Sequence, residues 1–116
     1  GEVMSWSIIR ELKWTKDHDI ERIRHYLAET YTRKKIESIC KFAVSKREEL
    51  QSKFYKDWLS SIPVSDDGWW DLTAEVVGRG RKFYETITVE KLIEMAKARD
   101  YVENFEYSFN ELEEGK

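Results

Sequence analysis

Helix-breaking residues are absent from the first half of the chain. The only proline is Pro63, and the sequence from Glu2 to Ile62 contains neither proline nor glycine. Because these two residues are the least compatible with a helix interior, the stretch favours helices joined by short polar turns. Apolar residues also recur at spacings of three and four on both sides of Pro63. We therefore predict an all-α fold, a single compact domain of about five or six helices.

The size and composition of the chain are typical of one folded domain. Its 116 residues are enough for one hydrophobic core. Its charged content of 37% is high, but an aromatic content of 14% argues against disorder. No apolar run approaches the ~20 residues that a membrane-spanning helix needs, and no segment has the pattern of a secretory signal. Together with a single cysteine, Cys40, these features predict a cytoplasmic protein with no membrane partner.

Met4 marks the predicted start of the natural chain. We interpret residues 1–3 as a remnant of expression, residues 4–112 as the domain and residues 113–116 as a frayed tail.

Polar residues that favour helix starts divide the first half of the chain. The first predicted helix runs from Ser5, as its N-cap, to Trp14. Asp17 or Asp19 is expected to cap the second, and Thr32 the third.

Arg47 interrupts the apolar stripe that follows Thr32, which predicts a helix break near Val44 and Ser45. The last helix of this half is expected to end before Pro63, because the residue preceding a proline avoids the α region.

The second half begins with a loop, Ile62–Gly68. After it comes the most regular amphipathic stripe of the chain, which predicts one central helix over Trp69–Ile87. Thr88 is expected to cap a short helix that contains Leu92 and Ala96. For residues 101–112 we favour helix over strand, although Phe105–Phe109 also alternates with the period of a strand.

Two glycines, Gly78 and Gly80, lie within the predicted central helix, and two functions would explain them. Gly80 falls on the buried stripe, where a missing side chain allows another helix to approach closely. Alternatively, the neighbouring Arg79, Arg81 and Lys82 bind an anion, although the segment lacks the ending of a phosphate-binding loop. We favour packing.

Four carboxylates, those of Asp66, Asp67, Asp71 and Glu75, surround the start of the predicted central helix. The simplest interpretation is capping by Ser65, Asp66 or Asp67, of which we favour the aspartates because their charge also complements the helix dipole. The alternative is a metal-binding or hydrolytic site, in which Asp71 and Glu75 share one helix face. The spacing matches no calcium loop, so we predict neither metal nor cofactor.

The remaining candidates for catalysis are isolated in the sequence. His18 and His25 are too far apart on one helix to share a metal, and no further cysteine or histidine completes a zinc set with Cys40. Without a nucleophile and its base at a recognisable spacing, we lean against an enzyme.

Adjacent tryptophans, Trp69 and Trp70, point about 100° apart on a helix, so we expect that not both are fully buried. An exposed tryptophan is a good interface anchor. The predicted interaction or polar site therefore comprises Asp66, Asp67, Trp69, Trp70, Asp71, Glu75, Arg79 and Arg81.

Charge is unevenly distributed along the chain. Residues 1–60 have a net charge of +3, and residues 61–116 have a net charge of −6. The segment Arg33–Lys56 is basic and interleaved with aromatics, which leaves nucleic-acid binding open as an alternative. Because the whole chain is acidic, with a pI near 5.5, we consider nucleic acid an unlikely partner and favour another protein.

Several short motifs occur together: Ser65-Asp66-Asp67-Gly68-Trp69, Gly80-Arg81-Lys82-Phe83-Tyr84, Glu103-Asn104-Phe105 and Trp6-Ser7-Ile8-Ile9. In this combination the chain resembles a bacterial family of unknown function whose members have an aromatic-rich first helix. The resemblance implies an all-helical bacterial cytoplasmic protein, and it implies no activity or cofactor. Our leading hypothesis is a non-enzymatic protein-interaction module, for example an immunity or antitoxin-type protein that blocks a cationic toxin.

Overall fold

The computed structural model describes residues 1–109, and within them the regular elements are all helical. Six of the eight α-helices have seven residues or more, in agreement with the predicted all-α domain. The α-helices are α1 (Glu2–Leu12), α2 (Trp14–Asp17), α3 (Ile20–Thr30), α4 (Arg33–Lys53), α5 (Tyr55–Ser61), α6 (Asp66–Gly78), α7 (Arg81–Thr86) and α8 (Val89–Ala98), followed by a 3₁₀ helix at Phe105–Phe109. Every helix among these residues falls short of the length or the hydrophobicity that crossing a bilayer requires.

The side-chain caps of α3 and α4 were predicted correctly. Asp19 accepts a hydrogen bond from the Arg22 amide at 3.1 Å, and Thr32 accepts one from the Lys35 amide at 3.1 Å. The predicted cap at Ser5 is wrong, because α1 begins at Glu2 and runs through that position. The helix starts one turn before the serine, and the carboxylate of Glu2 in its first turn complements the helix dipole.

Helix α4 runs without interruption past Val44 and Ser45, so the predicted break is wrong. Its apolar stripe tolerates Arg47 because the guanidinium, although buried, forms an ion pair with Glu106 at 2.8 Å. The chain turns instead at Phe54, and α5 ends at Ser61, before Pro63 as predicted.

Helix α6 is the central helix, and α4 packs along it. All residues from Leu72 to Gly78 are buried. The prediction of one helix over Trp69–Ile87 is nevertheless wrong, because α6 ends at Gly78. Gly80 has a φ of 106°, which only glycine adopts without strain, and it separates α6 from α7.

The packing role predicted for Gly80 belongs to Gly78. A Cβ at Gly80 would meet no atom within 4 Å, whereas one at Gly78 would lie 2.7 Å from Cδ1 of Trp14 and 2.9 Å from Cγ of Phe105. The absence of a side chain at Gly78 therefore allows α2 and the 3₁₀ helix to approach the end of α6.

Two apolar clusters lie on opposite faces of α6. Ala74 and Val77 face a cluster formed with α1, α2, α3, the first part of α4 and the 3₁₀ helix. Leu72 and Val76 face a second cluster formed with the end of α4 and with α8. Helix α6 thus connects both parts of the core.

The last elements were predicted in part. Thr88 caps α8 by accepting a hydrogen bond from the Lys91 amide at 3.1 Å, as expected. Residues 101–104 are not helical and a 3₁₀ helix occupies Phe105–Phe109, so the helix predicted from residue 101 is wrong in its start and its type. Residues 110–112 of that prediction, and the predicted tail 113–116, lie outside the described residues.

Candidate functional site

The start of α6 is capped by a hydroxyl group. Ser65 accepts a hydrogen bond from the Gly68 amide at 3.2 Å. Asp66 and Asp67 follow it in the first turn and remain exposed. The expectation that one of these aspartates is the cap is therefore wrong. Ser65 takes the role because its backbone is extended, with a ψ near 180°, as an N-cap requires.

The two adjacent tryptophans separate as expected. Trp69 is only 4% exposed and stacks on Trp58, with ring centroids 5.4 Å apart and planes at 5°. Trp70 is 45% exposed. Trp69 therefore belongs to the core, and Trp70 remains available for contacts with a partner.

Trp70 is fixed in place although it is exposed. The guanidinium carbon of Arg47 lies 4.4 Å from the centroid of its ring. Its indole N–H donates to Oε1 of Glu106 at 3.2 Å. Because Arg47 and Glu106 are themselves buried and paired, the indole rests on a rigid support.

Carboxylates lie beside this tryptophan. The pKa of Asp71 is raised, mainly because the group is partly buried, and also because the carboxylates of Glu103 and Asp67 are close. A hydrogen bond with Asn104 partly opposes that rise. Within residues 1–109, none of these three acidic side chains has an ion pair. We call the surface formed by Asp67, Trp70, Asp71 and Glu103 the acidic–aromatic patch.

Glu75 does not belong to this patch, although it lies one turn after Asp71 in α6, as predicted. Its carboxylate is fully buried and accepts hydrogen bonds from Nε1 of Trp14 at 2.9 Å and Nε of Arg79 at 2.9 Å. Nε2 of His18 lies 3.2 Å from its second oxygen. Both oxygens are thus occupied, and the described residues contain no group of three or more side chains placed to hold a metal ion.

The predicted arginines lie at the other end of α6. Arg79 donates to Glu75 through Nε and to Oδ1 of Asp100 through Nη2, the latter at 3.0 Å. Arg81 pairs with Glu85 at 2.9 Å. The residues predicted as one site therefore separate into a capped, acidic end of α6 and a basic end.

Sequence reasoning missed the contributions of Arg47, Glu103 and Glu106 to the patch. Arg47 and Glu106 are 59 positions apart in the chain, and no local pattern connects them. The one available signal was Arg47 itself, a charged residue within an apolar stripe, since such a residue requires a buried partner.

No protein-family model matches the chain, and no curated protein and no solved structure matches it. The resemblance to a bacterial family of unknown function accordingly stays a prediction.

Proposed function

We propose that this protein is a non-enzymatic interaction module that binds a cationic surface of another protein through the acidic–aromatic patch. The observation that supports this most directly is Trp70, which is 45% exposed and yet held by Arg47 and Glu106. Tryptophan is enriched among the residues that dominate binding energy at interfaces.

The support beneath Trp70 reduces the entropy that binding would cost. Immobilising a mobile side chain costs about 0.5–1.5 kcal/mol on association. For Trp70 most of that cost is met on folding, since its ring already lies over Arg47.

The carboxylates of the patch favour a cationic partner. Asp67 and Glu103 each repel Asp71, and a Lys or Arg from a partner would relieve that repulsion. Complementary charge also accelerates association and excludes partners of the same sign. An immunity or antitoxin-type protein of the bacterial cytoplasm is the specific instance we propose.

The basic surface of α4 supports nucleic-acid binding less well. Lys46 is bound to Glu2 and Glu49, and Arg47 is buried against Glu106. The alternative of a metal-binding or hydrolytic site is also less well supported. Glu75 is one of its four predicted carboxylates, and both of its oxygens already have hydrogen-bond partners.

Affinity capture with matched variants tests the proposal. We expect the wild-type protein to recover a basic partner in stoichiometric amount from a native bacterial lysate, and Asp67→Asn/Asp71→Asn to lose it. The control Glu48→Gln/Glu90→Gln removes two exposed carboxylates that have no ion pair within residues 1–109, and it should retain the partner.

A second variant tests the aromatic part of the patch. Trp70→Ala should abolish capture, whereas Tyr55→Ala, which removes a ring that is 51% exposed on α5, should not. Capture that is equal for all variants, or no stoichiometric partner at all, would contradict the proposal.

A further inference from the structure

A surface cavity of about 1050 Å³ lies at the basic end of α6, away from the acidic–aromatic patch. One wall comes from α1 and α2, and the other from the end of α6 and from α7. Its volume is at the upper end of the ~300–1000 Å³ typical of small-molecule sites.

The cavity is strongly cationic. Six basic residues line it, against a single carboxylate, that of Glu85. The basic residues are Arg10, Lys13, Lys16, Arg79, Arg81 and Lys82.

Four of these cations are available to a ligand. Arg79 and Arg81 pair with carboxylates. Arg10, Lys13, Lys16 and Lys82 have no ion pair within residues 1–109. Like charges gathered without counter-charges destabilise a fold, so their convergence from two walls favours an anionic occupant.

Buried contacts fix the positions of the two cavity walls relative to each other. The carboxylate of Glu75 bonds to Trp14 on one wall and to Arg79 on the other, each at 2.9 Å. Gly78 lets the Trp14 ring rest directly on the end of α6. The cavity is consequently pre-formed, which lowers the cost of binding.

We propose that this cavity binds a small ligand that carries several phosphate groups, independently of the proposed protein partner. Phosphate oxygens match both the fork of an arginine and the point charge of a lysine. The two tryptophans that line the cavity, Trp6 and Trp14, are 4% and 1% exposed. Neither offers an open face on which a base would stack, so the phosphate chain and not a nucleobase is the recognised group.

Calorimetric titration with sodium tripolyphosphate at low ionic strength tests this site. We expect binding to the wild-type protein and a loss of affinity on the order of tenfold or more for Lys16→Gln/Lys82→Gln, since two charge-assisted contacts are removed. Both lysines are exposed and add to the repulsion among the cations, so the variant should be at least as stable as the wild type.

The control variant Lys41→Gln/Lys56→Gln removes the same charge from exposed lysines outside the cavity and should lose much less affinity, because neither lysine lines the cavity and only the long-range attraction is reduced. Citrate serves as a polycarboxylate competitor, and adenosine triphosphate tests for a contribution from the base. No binding of tripolyphosphate, an equal loss in the control variant, equal affinity for citrate, or a clear preference for the nucleotide would each overturn the proposal. None of these results depends on the capture experiment.

Discussion

Asp71 lies partly buried beside two other carboxylates, and its pKa is raised above the ordinary value of 3.8. The folded protein therefore binds this proton more tightly than the unfolded chain does. The resulting stabilisation is present in acid and is lost as the pH rises through the folded-state pKa. At neutral pH the charged form of Asp71 opposes folding.

Asp71→Asn should consequently raise the melting temperature at pH 7, because it removes the charge and keeps a side chain that can bond to Asn104. At pH 3, where Asp71 is largely protonated, the variant and the parent should melt alike. Thermal melts of the variant and the parent at the two pH values measure this difference in melting temperature. A variant that is less stable at pH 7 would show that the hydrogen bond outweighs the repulsion.

Ser65→Ala should lower the free energy of unfolding by about 0.5–2 kcal/mol, because the Gly68 amide loses its acceptor. Asp66→Ala should cost less, since that side chain contributes only through the helix dipole. Urea denaturation compares the two, with Ser65→Asp as the variant that retains a cap. A larger loss of unfolding free energy for Asp66→Ala than for Ser65→Ala would show that Asp66, and not Ser65, caps α6.

The two glycines that interrupt the Trp69–Ile87 stripe have different structural roles, one in packing and the other in backbone conformation. Gly78 permits the close packing between α6, α2 and the 3₁₀ helix, and Gly80 supplies a positive φ in the turn into α7. The turn ends α6, and the end of α6 and α7 together line one wall of the cationic cavity.

Gly78→Ala should cost about 1–3 kcal/mol, because the added methyl group overlaps the buried rings of Trp14 and Phe105. Gly80→Ala should cost about 1–3 kcal/mol through backbone strain alone, because a φ of 106° combined with a ψ of 173° lies in a region that essentially only glycine occupies. Gly80→Asn should lose about as much in denaturant titrations, since asparagine tolerates the left-handed helical region but not this one. An Ala variant at Gly78 as stable as the parent would contradict the packing account.

The elements that the sequence predicts correctly are those determined by neighbouring residues. Asp19, Thr32 and Thr88 bond to amides three positions ahead, and Pro63 acts on the residues just before it. Periodicity, in contrast, does not reveal which of two glycines adopts a positive φ. It also does not reveal that Arg47 is neutralised by a residue 59 positions away. The continuity of α4 past Val44 and the support of Trp70 therefore cannot be predicted from neighbouring residues.

The opposite charges of the two halves of the chain produce few ion pairs between them in residues 1–109. Among the ion pairs of residues 1–109, only Arg47–Glu106 and His18–Glu75 join the basic half to the acidic half. Both pairs involve buried carboxylates. The two halves are therefore joined electrostatically by two specific pairs and not by a general attraction between opposite charges.

Breaking one of these pairs should affect the whole fold. Arg47→Met leaves Glu106 buried without its partner and should cost about 3 kcal/mol, whereas Arg47→Met/Glu106→Leu should cost less than the single change. A double-mutant cycle by chemical denaturation gives the coupling, expected at about 0.5–3 kcal/mol. Additive effects would mean that the pair contributes no specific stabilisation.

Helix α6, enclosed on every side from Leu72 to Gly78, has a consequence for how the molecule opens. Its amide protons reach solvent only when both apolar clusters separate, which is global unfolding. They should therefore be the slowest of the chain to exchange with deuterium, and their common rate should report the full stability of the protein. The amides of α5, which buries none of its own residues, should exchange much earlier through local fraying.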